Sequence, residues 1–349
     1  MLSSESKVSN SMFKGKTILV TGGAGSIGRE IIKELLKSDP AVVRVVDNNE
    51  AGLFELEKEM RHPALRSFLG DVRDRDRLKR AVEGVDVVFH AAALKHVPIC
   101  EYNPFDAIKT NVIGTQNLID VSLDEEVERV VVISTDKAAS PNNVMGATKL
   151  LAERLTAAAN VYKGPRKTVF TCVRFGNVMA SSGSVMPVFE DQIKKGGPLT
   201  LTDKSMTRFM MPASDAVKLV FKAAELSIGG EVFILKMPSI RIIDLAEIMV
   251  EELAPKYGFS PDDIEIKEVG PRPGEKIHEE LMTKEEARNA LEMEDLFVLL
   301  PQLVLTGYRY PSYAYPGSKP AEVKEYSSAE RPLTKKEIRK IVSEALKAS

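Results

Sequence analysis

The run Thr17-Ile18-Leu19-Val20 breaks into Thr21-Gly22-Gly23-Ala24-Gly25-Ser26-Ile27-Gly28, and the residues after it place Ile27, Ile31, Ile32, Leu35 and Leu36 at helical spacing. A strand that turns on glycines into an amphipathic helix commits the start of the chain to a β-α unit. Gly22, Gly25 and Gly28 form a Gly-x-x-Gly-x-x-Gly pattern. Small residues let the backbone turn tightly there and approach a pyrophosphate, whose charge then meets the helix N-terminus. Asp47 closes the next apolar run, Val42-Val43-Arg44-Val45-Val46. A carboxylate at that strand end accepts hydrogen bonds from a ribose 2′-hydroxyl and repels a 2′-phosphate, so NAD is favoured over NADP. Asn48 and Asn49 add no cation to receive a phosphate; Arg73 and Lys95 are the cations that would have to approach from elsewhere.

The alternation continues. Residues 65–69 and 85–89 read as the third and fourth strands, ending in Gly70-Asp71-Val72 and His90-Ala91-Ala92-Ala93, which suit covering an adenine and lying against the cofactor backbone. Asp71 belongs either to the adenine amine or to a turn cap. A fifth strand leads through Val130-Val131-Val132-Ile133 and a sixth covers 168–173. Strands alternating with helices predict a Rossmann-type, doubly wound parallel α/β sheet with helices on both faces. Beyond Val173, Ser- and Gly-rich loops mark a smaller C-terminal α/β lobe. The expected division is a flexible tail over 1–14 and a cofactor-binding domain over 15–173, completed by about 212–237. Residues 174–211 and 238–349 then make the substrate lobe, ending in a helix where Thr334 and Glu337 form a capping box. Ile338, Ile341, Val342, Ala345 and Leu346 give that helix an apolar stripe for docking on its own protein or an oligomer partner.

Composition narrows the class. Of 349 residues, 44% are hydrophobic and 28% charged, with a formal net charge of -2, which excludes a basic footprint for nucleic acid. No window approaches eighteen consecutive apolar residues, and Cys100 and Cys172 have no metal-like spacing. These features predict a cytoplasmic protein with buried thiols, without a membrane span or a metal site.

The chemistry concentrates in Ser134-Thr135-Asp136-Lys137, followed by Met145-Gly146-Ala147-Thr148-Lys149. Ser134 to Lys137 follow a buried apolar strand, at the carboxyl end where open α/β sheets bind ligands. Met145 and Lys149 are one helical turn apart and share a face. A thioether has no titratable proton, so an alcohol oxidation here needs another base, and Asp136 and Lys137 stand beside it.

Taken together the motifs resemble the extended short-chain dehydrogenases, and within them the nucleotide-sugar 4,6-dehydratases that act on UDP-N-acetylglucosamine in glycan and polysaccharide biosynthesis. The resemblance runs from about Lys16 to about Thr283. It rests on 21–28, His90-Ala91-Ala92-Ala93-Leu94-Lys95-His96-Val97-Pro98, 134–137, 145–149, Arg174-Phe175-Gly176-Asn177-Val178 and Arg272-Pro273-Gly274-Glu275-Lys276. Some members carry Tyr where this chain has Met145, and another branch carries Met. The late Glu325-Tyr326-Ser327-Ser328 is similar to the members without membrane segments, some of which invert C5 of the sugar.

The resemblance implies a redox-neutral dehydration: oxidation at C4, loss of water across C5 and C6, and reduction at C6. In that chemistry Lys137 is the expected base at C5 and Asp136 the proton donor to the C6 oxygen, having first taken the C4 hydroxyl proton; Thr135 orients that oxygen. Expected cofactor contacts are Gly22, Gly25, Ser26, Ile27, Gly28, Asp47, Asn48, Asp71, Val72, Ala91, Ala92, Lys95, Asn111 and Lys149, with Lys149 holding the nicotinamide ribose. Expected contacts to a UDP-N-acetylhexosamine are Lys95, His96, Asn177, Ser184, Arg208, Arg272 and Glu275, arginine suiting a diphosphate because its planar fork donates two hydrogen bonds at once. A homo-oligomer is expected from the superfamily. A UDP-sugar 4-epimerase shares the first step, and a cofactor-sensing regulator that has lost its Tyr and its activity is the reading from a different class.

Overall fold

The computed structural model describes residues 10–179, 181, 183–301 and 311–348. Six parallel strands come first: β1 (Thr17–Thr21), β2 (Val42–Asp47), β3 (Leu65–Leu69), β4 (Val87–His90), β5 (Arg129–Thr135) and β6 (Val169–Phe175). They lie in the order β3-β2-β1-β4-β5-β6, followed by the parallel strand Val232–Leu235. Strand order therefore reverses between β1 and β4, which opens a crevice at their carboxyl ends. Alternate side chains feed two cores, as the period of two requires. Ile18, Val20, Val131 and Ile133 pack with Ile31, Leu35 and Val220 on one face, whereas Leu19, Val130 and Val132 pack with Leu78, Leu118 and Ile119 on the other.

Two expected boundaries move. Residues 10–14 were assigned to the tail, yet Asn10–Met12 form a 3-10 turn and Phe13 is buried, its ring 4.7 Å from Phe221 and 5.8 Å from Phe89. Burying a phenylalanine stabilises by about 1.5–3 kcal/mol, enough to hold so short a segment down. Residues 1–9 lie outside the described residues. The lobe was expected to take all of 238–349, but Leu296–Leu299 pairs antiparallel with Val232–Leu235, and Ala290–Glu292 and Lys319–Pro320 extend the same sheet. Leu296-Phe297-Val298-Leu299 is buried throughout, so the run covers what would otherwise be an exposed apolar edge.

The lobe has its own core, in which Phe189, Leu199, Leu201, Met210, Ile240 and Leu245 meet the C-terminal helix Lys335–Ala348. That helix docks on its own chain: Ile338 and Val342 are buried, with Ile341 and Ala345 partly so. The side chain of Leu346 lies outside the described residues. Both cysteines are free and buried.

Candidate active site

At the carboxyl end of β1 the glycines are used unequally. Gly22 has φ +71°, and a Cβ there would lie 2.6 Å from the Ala92 nitrogen. A Cβ on Gly28 would sit 2.2 Å from the Gly22 carbonyl oxygen, whereas one on Gly25 would meet nothing closer than 3.3 Å. Gly22 and Gly28 are thus required by close backbone approach, and Gly25 by little in the protein itself. Gly25 is the N-cap of Ser26–Leu36 and supplies no side-chain cap, so the positive end of that helix is turned toward any anion that enters the crevice. Asp47 is held by the Ala24 and Asn49 N–H groups, each at 2.9 Å on a different carboxylate oxygen. This glycine cradle, open helix end and tethered carboxylate fit a dinucleotide.

Around the crevice the other expected contacts sort by what already engages them. Asp71 accepts from the Arg73 backbone N–H at 2.9 Å and pairs with the Arg73 guanidinium at 2.6 Å, which holds its carboxyl below the usual range; it also accepts from Asn48 at 3.2 Å. Arg73 is further committed to Asp106 at 3.6 Å. Val72 is buried against Gly114. Ala91 and Ala92 follow β4, with Ala91 N–H donating to the Thr21 carbonyl. Asn111 lies in a single π-turn, Ile108–Ile113, and its amide clasps both polar groups of the Leu94 backbone while donating to Thr148 at 3.0 Å. Its amide therefore serves to fix the loop that carries Lys95 and His96. His90, buried between Thr21 and Thr115, has its pKa pushed down to about 3 by burial and by Lys149.

β5 ends at the groups expected to transfer protons. Thr135 is the N-cap of the turn Asp136–Ala138, and its hydroxyl donates to Asp136 Oδ1 at 2.8 Å. Asp136 is 1% exposed, and Lys137 Nζ donates to the same Oδ1 at 3.0 Å. On its other side Lys137 Nζ lies 3.2 Å from Glu279 Oε1. Desolvation works against the Lys137 charge, but Asp136 and Glu279 outweigh it and raise its pKa, so it rests as an ammonium. Gly146 explains the glycine after Met145, because a Cβ there would sit 2.3 Å from the Lys137 carbonyl oxygen. Asn143 caps the helix Val144–Tyr162 through the Gly146 N–H.

Met145 faces an apolar pocket with Cys100 and Ala107, where it packs and exchanges no proton. Lys149 is buried and donates to the Ile133 carbonyl; burial lowers its pKa, so the positive charge expected of it is opposed by desolvation.

The lobe supplies the third wall. The turn around Gly274 is fastened over the β5 end by Asn143, which donates to the Gly274 carbonyl, and by Lys276, which donates to the Ala139 carbonyl. Several buried polar atoms in this region have no hydrogen-bond partner: Asp136 Oδ2, Asn177 Oδ1, Ser184 Oγ, Glu275 Oε2 and Glu279 Oε2. Buried polar atoms are nearly always paired, so these orphans offer hydrogen-bonding capacity that a polar ligand or ordered water would complete. Arg208 is otherwise disposed than expected: its fork donates to the carbonyls of Thr207, Lys276 and Ile277 and lies 3.5 Å from Glu275. It serves as a clamp on the loop, while Arg272 on that loop is exposed. Lys95 and His96 are exposed too, and partial desolvation pushes both pKa values down, Lys95 adding its charge at His96. His96 touches the Ser184 loop, since a Cβ on Gly183 would come within 2.7 Å of its ring.

Sequence reasoning missed Glu279. In Lys276-Ile277-His278-Glu279-Glu280-Leu281 nothing distinguishes it from the half-buried Glu280 beside it. The one available signal is that Glu279 precedes the buried Leu281 by two residues, which puts both on one face of an extended segment.

A family model described as polysaccharide biosynthesis protein matches residues 18–301. The chain belongs to that family. Its relatives include an uncharacterized membrane protein of Methanocaldococcus jannaschii, 61% identical over 96% of this chain and 97% of that protein. Among the described residues no helix is long and apolar enough to cross a membrane. A UDP-N-acetylglucosamine 4,6-dehydratase (inverting) of Campylobacter jejuni is 39% identical over 95% and 98% of the two chains. A UDP-glucose 4-epimerase of Rickettsia massiliae is 41% identical over 82% and 83%. Among solved structures, Pen from Bacillus thuringiensis aligns with TM-score 0.89 and 44% identity over 96% of this chain and 98% of that one. DesIV, a dTDP-glucose 4,6-dehydratase from Streptomyces venezuelae solved with NAD and TYD, aligns with TM-score 0.67 and 26% identity over 75% and 86%. The family members therefore share the extended short-chain dehydrogenase fold described above.

Proposed function

We propose that this protein is an NAD-dependent UDP-N-acetylglucosamine 4,6-dehydratase. The observation that carries the reading is the pairing of buried Asp136 with half-buried Lys137 at the carboxyl end of β5, 3.0 Å apart, in a site whose neighbouring position holds Met145 packed away among apolar groups. Elimination needs an acid and a base side by side, and epimerisation at C4 needs neither at C5 and C6. The name of the Campylobacter relative agrees with the dehydratase, and those of the Rickettsia relatives with the competing epimerase.

NAD would be held by the Gly22 to Gly28 turn, the open helix end and Asp47, and supplies the oxidant at C4 and the reductant at C6. NAD is preferred over NADP because the Asp47 carboxylate would accept from a ribose 2′-hydroxyl and repel a 2′-phosphate, and Arg73 is already paired with Asp71 and Asp106. The chain's own groups do the proton work. Thr135 and Asp136 receive the C4 hydroxyl, and Asp136 takes its proton. The resulting ketone acidifies C5, Lys137 removes that proton, and Asp136 delivers its own to the departing C6 oxygen as water. Asn177, Ser184, Glu275 and the exposed Arg272 receive the UDP-hexosamine. Lys137 can serve as base only after shedding a proton, and Asp136 and Glu279 are the acceptors in contact with it. Exposed Ile99, Tyr102, Phe105 and Leu151 support a homo-oligomer, which sedimentation would test.

Incubation with UDP-N-acetylglucosamine in heavy water, read by mass and NMR, decides. A 4-keto-6-deoxy sugar nucleotide is the expected product, and its C5 configuration distinguishes retention from inversion. A C4 epimer that keeps its water would establish the epimerase instead.

A further inference from the structure

We infer that Glu279 acts through Lys137 as its proton acceptor, taking the ammonium proton so that a neutral amine faces C5 of the sugar. The inference rests on the dehydratase reading above. Glu279 is 2% exposed, its Oε1 is 3.2 Å from Lys137 Nζ, and its Oε2 has no partner. Its position is fixed from behind: the Glu279 N–H donates to Ser328 Oγ at 2.9 Å, and the Ser328 N–H returns to the Glu279 carbonyl at 2.8 Å. Ser328 also meets Thr207. The tertiary structure thus places a second carboxylate against Lys137, in addition to Asp136.

The charges around the pair give the transfer a trigger. Lys137 is held as an ammonium by Asp136 and Glu279 together, against desolvation and against Arg208, whose Nε is 3.8 Å from Glu279 Oε1. When Asp136 takes the C4 hydroxyl proton it becomes neutral, and one of the two anions holding the ammonium is gone. A substrate bound against the partly exposed Lys137 displaces water as well, which disfavours a separated ion pair. The Nζ–H bond directed at Glu279 then breaks, an Oε–H bond forms, and nitrogen keeps the electron pair. That pair removes the C5 proton; the C–H electrons pass to the C4 ketone as an enolate and return to expel the C6 oxygen, which leaves as water with the proton held by Asp136. When C6 has been reduced, Lys137 returns its proton to C5, and Glu279 returns its own to the amine. Every proton and electron pair is accounted for without a further reagent.

Glu279→Gln keeps the shape and the contact to Lys137 but cannot take a proton. Measured in heavy water with UDP-N-acetylglucosamine, it is expected to slow deuterium entry at C5 by about 10²-fold or more, the usual worth of a positioned proton-transfer group. KM should stay within about threefold, and the nicotinamide absorbance transient that reports C4 oxidation should persist. Glu279→Ala, with formate added to the opened space, is expected to recover C5 exchange in proportion to formate. Exchange at the wild-type rate in Glu279→Gln would overturn the inference, as would a raised KM with kcat unchanged, or a Glu279→Ala protein that binds substrate and is indifferent to formate. A wild-type protein that binds the sugar nucleotide and releases no water fails the dehydratase reading and takes this inference with it; a wild-type protein that dehydrates beside an unimpaired Glu279→Gln fails this inference alone.

Discussion

Arg174 and Lys137 each sit between two buried carboxylates, and they differ in how much hydrogen-bonding capacity is left over. Arg174 commits its whole guanidinium. Nε and one terminal nitrogen form a fork on Glu153 at 3.0 and 2.7 Å, the terminal nitrogens form another on Glu286 at 2.9 and 3.0 Å, and the Leu281 carbonyl takes the remaining N–H. Ser134 and the Thr283 N–H complete the carboxylates. The Lys137 cluster leaves Asp136 Oδ2 and Glu279 Oε2 unpaired, and the Lys137 side chain is 24% exposed. The two clusters lie almost next to each other along β5, Ser134 serving one and Asp136 the other. A fully paired network has one low-energy arrangement and ties β6 to its neighbours; a partly paired one keeps proton positions close in energy and leaves atoms for a ligand. The same ingredients yield a fastening in one place and, in the other, a cluster with hydrogen-bonding capacity to spare.

Changing a carboxylate to its amide in each cluster is the strongest way to break that contrast. Asp136→Asn should reduce turnover by about 10²–10⁴-fold, as expected for a proton-transfer group, while free energy of unfolding in urea shifts by no more than about 1 kcal/mol. Glu153→Gln should do the reverse. It breaks a buried ion pair, so unfolding free energy should fall by about 3–5 kcal/mol, with activity per folded molecule within about tenfold of wild type. Equal losses of stability in the two variants would mean that both clusters are structural.

Titration separates them with the opposite sign at each end of the pH range. Burial works against the Glu286 charge, but Arg174 prevails and holds its pKa below the usual range. Its contribution to stability is therefore complete above the unfolded value of 4.5 and is lost as pH falls through the lower folded value. Lys137 has a raised folded pKa, so its contribution is complete below 10.5 and is lost as pH rises through the folded value. Urea midpoints across pH should show Glu286→Gln flattening the acid limb alone and Lys137→Met flattening the alkaline limb alone.

The smallest effect sharpens the structural side. Thr283 caps the short helix Lys284–Ala287 and engages Glu286 in a capping box, which presents that carboxylate to Arg174. Thr283→Ala should cost about 1 kcal/mol by thermal or urea unfolding and leave kcat unchanged. A larger loss would show that the cap and the ion cluster act as one unit.

The parallel sheet, the glycine turn, Asp47 and the Asp136-Lys137 pair were legible because each depends on local pattern: apolar runs bounded by glycine or acid, and residues adjacent in the chain. Gly22 was read correctly as a tight-turn position, whereas Gly28 lies inside the following helix; the demand for glycine comes from backbone atoms of Ala92 at the first and of the turn itself at the second. Where sequence reasoning fell short, the deciding contacts join distant segments. Phe13 was assigned to a tail because nothing near it announces Phe89 and Phe221, and residues 290–299 went to the lobe because an apolar run does not name the strand whose edge it covers. Arg208 and Arg272 are alike as guanidinium groups in sequence, yet one is enclosed by three carbonyls and the other is exposed.

By itself, then, the sequence determined the sheet, the glycine turn and the placing of an acid and an amine side by side at the end of β5, all written in short-range periodicity and adjacent residues. Tertiary structure decided which buried charges are spent on holding the fold and which remain available. That depends on whether residues about 140 positions apart, such as Lys137 and Glu279, complete one another's hydrogen bonds or leave them open, a matter of packing that no local pattern records.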